Sequence, residues 1–201
     1  MVKIIKIEPI GFAANAYLLT ADGQNAVAID PSQPRVIAEA EKRGLKIGAV
    51  LLTHGHFDHV GACNELYRRG VPIYCLETER VLALGEDSLW RKHGAPMPAF
   101  EVKPLRGGDR IELCGVPFTV IATPGHTAGS ATYRTGEHLF TGDTLFRGCV
   151  GRTDLPTGDE VAIVQSVKKL YALGDAFVHP GHDEDTTLAF EKKYNVCVRG
   201  E

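Results

Sequence analysis

The chain has 201 residues, enough for one sizeable hydrophobic core and short for two full domains. With 44% hydrophobic and 23% charged residues it is composed as a globular protein, which excludes a disordered or fibrous chain. A formal charge of −3 with no basic block argues against a nucleic-acid surface, and no apolar run approaches the ~18–20 residues of a membrane span.

Met1-Val2-Lys3-Ile4-Ile5-Lys6-Ile7-Glu8 alternates as a strand does and has neither the apolar core nor the cleavage site of a signal peptide. Further strands are predicted over 15–20 and 25–30, set apart by turn signals at Pro9-Ile10-Gly11 and a hairpin-like Ala21-Asp22-Gly23-Gln24. Asp30-Pro31-Ser32 stops the third strand, and helical spacing then runs from Pro34 to Arg43, ending at Gly44. A buried strand over 48–52 follows, then a helix from Gly61 to Arg69, a strand over 71–75 and a short helix over 77–84. Residues 85–99, with Trp90, His93, Gly94, Pro96 and Pro98, are the least regular. They read either as a lid or pocket rim, or as a packed connection anchored by Trp90.

Strands near 100–103, 109–113, 116–122, 130–134 and 137–141 repeat the opening pattern. A long loop, 142–158, precedes a helix over 160–173, capped by Asp159, whose positions 161, 163, 164, 167 and 170 share one face. A strand over 176–178 and a helix over 186–195 complete the series. Strands then helix, twice over and with no linker, predict one domain over 1–201, an α/β (α+β) fold in which two sheets stack with helices outside. Cysteines 63, 75, 114, 149 and 197 are scattered and lack any Cys-x-x-Cys, so reduced thiols in a cytoplasmic protein are expected. Cys149 reads as a packing residue and not as a nucleophile.

The chemistry concentrates in His54-Gly55-His56-Phe57-Asp58-His59, directly after the apolar run Ala49-Val50-Leu51-Leu52. Ligands that begin where a strand ends stand on a rigid base. Alternation lets His54 and His56 point one way, with Asp58 and His59 turned toward a neighbouring point; a solvated polar loop is the plainer alternative. Two ions would need three more ligands. His126 in Thr123-Pro124-Gly125-His126-Thr127, Asp143 in Thr141-Gly142-Asp143-Thr144 and His182 in His179-Pro180-Gly181-His182-Asp183 each follow a short apolar or β-branched run beside Gly or Pro. Each alone reads equally as a polar turn residue, and their company makes them candidates. His93, His138 and His179 read as structural or exposed. Imidazole and carboxylate ligands without thiolate suit zinc, iron or manganese and leave positions for water. Asp30 is a candidate partner for a ligand imidazole, or a simple strand-end cap.

Thr53-His54-Gly55-His56-Phe57-Asp58-His59-Val60-Gly61 matches the His-x-His-x-Asp-His signature, so the chain resembles the metallo-β-lactamase superfamily over about residues 15–185. The segments holding His126, Asp143 and His182 fall where that superfamily has its other ligands. The resemblance implies a four-layer αββα sandwich with two metal ions. His54, His56 and His126 would bind the first, Asp58, His59 and His182 the second, and Asp143 would bridge them. Within the superfamily, Gly142–Phe146 and Gly148–Leu155 are similar to glyoxalase II-type hydrolases. Pro180-Gly181-His182, Thr186-Thr187 and Glu191-Lys192-Lys193 are similar to their short bacterial and archaeal forms. Glyoxalase II has a further C-terminal helical domain that helps hold glutathione; this chain is expected to lack it, and no aromatic residue directly follows His182. Arg152 falls where that enzyme has a carboxylate-holding lysine, so Arg152 and Arg147 are the expected substrate contacts.

The expectation is a cytoplasmic, metal-dependent hydrolase, monomer or homodimer, acting on small acyl-thioesters of the S-lactoylglutathione type. Two divalent ions are expected, zinc favoured over iron or manganese, and neither a membrane nor a nucleic-acid partner. Two adjacent dications bring a bridging water toward neutral pKa, and one polarises the acyl carbonyl. A thiolate leaves without a strong general acid, since its conjugate acid has a pKa of about 8.5. Asp143 as bridge and Asp58 as ligand and orienting group are the catalytic candidates, with no Gly-x-Ser-x-Gly elbow in competition. Three other readings stand beside this one. A mono-iron persulfide dioxygenase shares a loop close to Arg147–Asp154 but uses two His and one Asp. A phosphodiesterase or ribonuclease of the superfamily would want a basic arm. A purely structural zinc module would be closed and cysteine-rich.

Overall fold

The computed structural model describes residues 1–198. Its first sheet holds β1 (Lys3–Ile7), β2 (Ala16–Thr20), β3 (Asn25–Ile29), β4 (Lys46–Leu51), β5 (Ile73–Leu76) and β6 (Val102–Leu105), hydrogen-bonded in that order. β1 to β3 run antiparallel and β3 to β6 parallel. Parallel neighbours need crossovers. These are α1 (Arg35–Lys42), α2 (Cys63–Arg68), and a 3-10 turn at Glu77–Glu79 leading into α3 (Arg80–Leu84). The second sheet holds β7 (Arg110–Leu113), β8 (Val116–Ala122), β9 (Ala131–Thr135), β10 (His138–Gly142), β11 (Phe177–Pro180) and β12 (Thr186–Thr187). Only β10 and β11 are parallel there, and α4 (Glu160–Tyr171) makes that crossover.

Alternation along the strands sorts their side chains into three buried layers. Leu18, Ala28 and Val50 face outward onto Val36 and Ile37 of α1 and Leu66 of α2. Their neighbours Tyr17, Leu19, Val27, Ile29 and Leu51 face the other way, onto Phe118, Val120, Tyr133 and Phe140 of the second sheet. Ile121, Leu139 and Val178 turn outward again, onto Val167 and Leu170 of α4 and Leu188 of α5 (Leu188–Tyr194). Three apolar layers between four tiers of secondary structure make the αββα sandwich that the sequence predicts.

Departures are local. The helix predicted over 77–84 splits into the 3-10 turn and the five-residue α3. The helix predicted over 186–195 starts late because Thr186 and Thr187 first pair with β11; the Thr187 hydroxyl then caps α5 by accepting from the Phe190 amide. Residues 85–99 hold a 3-10 turn at Glu86–Ser88 and are otherwise irregular. All five cysteines are free thiols, and no helix among the described residues is long and apolar enough to cross a membrane.

Candidate metal centre

The loops after β4, β8, β10 and β11 gather the seven sequence-predicted ligands at one edge of the sandwich. Two glycines make the approach possible. Gly142 has a φ of +50°, and a Cβ there would lie 2.2 Å from Thr53 Oγ1, so only glycine lets the Asp143 loop close on the His54 loop. A Cβ on Gly181 would fall 2.3 Å from Asp143 Oδ1.

The ring nitrogens of His54, His56 and His126 lie within 4.8 Å of one another. The same limit holds for the ligand atoms of Asp58, His59 and His182, and for those of His54, His59 and Asp143. Asp143 stands between the groups, with Oδ1 3.2 Å from His59 Nε2 and Oδ2 3.5 Å from His126 Nε2 and 3.6 Å from His182 Nε2. His182 Nε2 is 3.3 Å from Asp58 Oδ2, and His56 Nδ1 is 2.9 Å from His126 Nε2.

Outer partners fix which nitrogen carries the proton. His59 donates from Nδ1 to Asp30 Oδ2 at 2.9 Å, which makes Nε2, 3.2 Å from Asp143 Oδ1, the nitrogen turned toward the site. Asp30 also accepts from the Thr53 amide at 2.7 Å and from Thr53 Oγ1 at 2.6 Å. Thr53 Oγ1 in turn lies 3.2 Å from His54 Nδ1, so Asp30 reaches two ligands and is more than a strand-end cap. His126 Nδ1 donates to the Arg152 carbonyl at 2.7 Å.

Burial pushes His54 well below the ordinary histidine range and His56 to about 3, with neighbouring imidazoles reinforcing it. For His59, burial opposes the charged form but Asp143 and Asp30 outweigh it and raise the ring well above its usual value. For His182, burial is likewise overcome, by the Asp58 hydrogen bond and Asp143, and its value rises. Burial also opposes the charges of Asp58 and Asp143. The His182 bond and His59 hold Asp58 below the usual carboxylate range, and His59 with His126 does the same for Asp143.

His54 Nε2, His56 Nε2, His59 Nε2 and Asp143 Oδ1 are buried without a hydrogen-bond partner. Each such atom costs about 1–3 kcal/mol, and acceptor atoms converging from the loops after β4 and β10 are what a cation satisfies. An all-nitrogen-and-oxygen donor set suits zinc, iron or manganese. The residues therefore fit a divalent metal centre.

Above these residues opens a cleft of ≈ 400 Å³. Leu89, Lys92 and His93 form one wall, so segment 85–99 is a rim of the site, and His93 stacks on Phe57 at 4.3 Å. Phe146, Arg152 and Leu155 form the other wall. Arg152 is held by Asp154 through two bonds of 2.6 and 2.7 Å. Arg147 pairs with Glu184 and lies over the Phe190 ring; it is not among the cleft residues. His138 and His179 form a separate chain, 2.9 Å apart, that ends on Asp185. Burial raises the Cys149 thiol, in keeping with a packing role. Glu79, with no ligand-type residue directly beside it in the chain, is buried between the ligand loops. Its signal in the sequence is a carboxylate sharing a helical face with Leu82 and Ala83, both buried.

An αββα sandwich with this edge site is the architecture of the metallo-hydrolase superfamily. The chain belongs to the metallo-beta-lactamase superfamily, whose family model matches residues 9–182. It is 37% identical to the hydroxyacylglutathione hydrolase GloC of Haemophilus influenzae, over 95% of this chain and 96% of that one. Among solved structures, TTHA1623 in a di-iron-bound form superposes with a TM-score of 0.84 at 38% identity, covering 96% of this chain and 98% of that one. BLEG-1 B3 metallo-beta-lactamase superposes with a TM-score of 0.87 at 32% identity, covering all of both chains.

Proposed function

We propose that this protein is a binuclear metal-dependent thioesterase acting on small acyl-thioesters of the S-lactoylglutathione type. The observation that carries the reading is Asp143 standing between two ligand groups at the floor of an open cleft, its Oδ1 buried and unpartnered. His54, His59 and Asp143 alone would make the two-His, one-Asp set of a mono-iron dioxygenase; the four further donors beside them support two ions. The similarity to GloC adds the thioester class.

Bound divalent ions would supply a water acidic enough to attack at neutral pH and would polarise the acyl carbonyl. The chain's own residues do the rest. Asp58, kept anionic beside His182, can hold and orient the attacking water as an acceptor. Phe57, Leu89, Phe146 and Leu155 give the acyl group an apolar seat that limits bulk water. Lys92 and Arg152 are the cations of the cleft lining, suited to an anionic thiol half. Contact with Arg147 would require it to leave Glu184. Zinc is the favoured metal, with iron or manganese the alternatives, in a cytoplasmic monomer or homodimer with no nucleic-acid or membrane partner.

The test is metal analysis beside a substrate panel. Protein purified without chelator should hold close to two divalent ions and should hydrolyse S-lactoylglutathione under nitrogen as fast as in air. Asp143→Ala should lose both the metal stoichiometry and the activity. Oxygen uptake with glutathione persulfide and no thioester cleavage would reverse the assignment, and turnover of a β-lactam alone would redirect it.

A further inference from the structure

Glu79 is 1% exposed and sits in the 3-10 turn before α3. Its Oε1 accepts from the Gly55 amide at 2.8 Å and its Oε2 from Thr127 Oγ1 at 2.8 Å. The Gly129 amide also donates to the carboxylate. Gly55 lies between His54 and His56, and Thr127 directly follows His126. One side chain thus spans the two loops that carry all three nitrogens of the first ligand group. No lysine or arginine among the described residues pairs with it; amide and hydroxyl donors of the ligand loops take that place.

The backbone is shaped around this contact. A Cβ on Gly55 would lie 2.3 Å from Ala83 Cα, and one on Gly129 would lie 2.4 Å from the Glu79 nitrogen. Both loops therefore press against the Glu79–Ala83 segment closely enough to exclude any side chain. Thr127 Oγ1 is also 2.8 Å from Ser130 Oγ, so the His126 turn closes partly on its own. What Glu79 adds is the link between that turn and the His54–His56 loop.

We propose that Glu79 is a positioning residue of the metal centre, fixing the spacing of the His54–His56 loop against the His126 loop and so setting the affinity of that group for its ion. It touches neither metal nor substrate. The inference rests on the metal-centre reading and is independent of which substrate the cleft takes. Groups bonded directly to ligand side chains typically contribute 10- to 100-fold in metal affinity, and Glu79, one bond further out, is expected at the lower end of that range.

The test is stepwise zinc affinity of the metal-stripped full chain, measured in competition with a chromogenic chelator, together with its melting temperature. Glu79→Gln is nearly isosteric but puts an amide donor where one loop needs an acceptor. It should weaken one of the two zinc steps by about tenfold and leave the other within about threefold. The stripped chain should melt only a few degrees lower, the cost of one mismatched buried hydrogen bond. In a His56→Ala background, which already lacks the first group, Glu79→Gln should have no further effect on the remaining step. Glu79→Asp, which keeps the carboxyl group but shortens the reach, gives a second variant should Gln fold poorly. Unchanged zinc affinities would overturn the proposal. So would equal weakening of both steps with a lower melting temperature, or an effect that persists in His56→Ala. Wild-type chain that takes up no zinc would instead overturn the metal-centre reading itself.

Discussion

Replacing Asp30 by Asn should uncouple proton placement from packing at His59. Asp30 has a φ of 46°, a region Asn tolerates, so the exchange adds no backbone strain. The carboxylate accepts three bonds, from the Thr53 amide, from Thr53 Oγ1 and from His59 Nδ1. In the Asp30→Asn variant the remaining oxygen must face the Thr53 amide, which can only donate. The new NH2 then replaces Oδ2 and points a donor at His59 Nδ1. His59 can accept it only by moving its own proton to Nε2, the atom that faces Asp143 at 3.2 Å. An Nε2–H cannot ligate a metal. Loss of such an outer partner typically costs 10- to 100-fold in metal affinity, about 1.4–2.7 kcal/mol. Exchanging charge-assisted for neutral hydrogen bonds should cost the metal-free fold only about 1–2 kcal/mol. Calorimetric zinc titration would give the affinities, and nitrogen NMR of the imidazoles would give the tautomer. Two zinc steps as tight as wild type, with the His59 proton still on Nδ1, would refute the reasoning.

Acidification should release the two ions in sequence. His59 and His182 have raised values and take up protons first as pH falls, whereas His54 and His56 are lowered and stay free to ligate further into acid. Dialysis at falling pH should therefore show one equivalent lost before the other, and loss of both together would count against the two-group geometry. Arg152→Ala should raise KM for an anionic thioester by about tenfold with kcat little changed, and leave a neutral thioester unaffected. Equal losses on both substrates would make Arg152 a loop brace tied to Asp154 and nothing more. Gly55→Ala forces a Cβ to 2.3 Å from Ala83 Cα and should cost about 1–3 kcal/mol, read as a lower melting temperature together with poorer zinc loading.

The sequence by itself determined the strand-to-loop pattern and the set of candidate ligands. Both are local: side chains alternating along β2, β3 and β4 can serve only a strand buried on two faces, and His54 to His59 stand where such a strand ends. Glycines beside Asp143 and His182 mark close backbone approach in the same local way. Tertiary structure alone decided the partners of buried polar groups, because those depend on which loops chain closure brings within about 3 Å. Asp30 finds Thr53 across 23 positions, and Glu79 finds Thr127 across 48. Arg152 has Asp154 two residues away as a competitor for any substrate carboxylate, and Arg147 is drawn to Glu184 across 37. Neither choice has a periodicity or spacing that a linear chain displays. The short strand β12 is of the same kind: Thr186-Thr187 extends only because Phe177 and Val178 offer it an edge, and no property of two threonines would announce that.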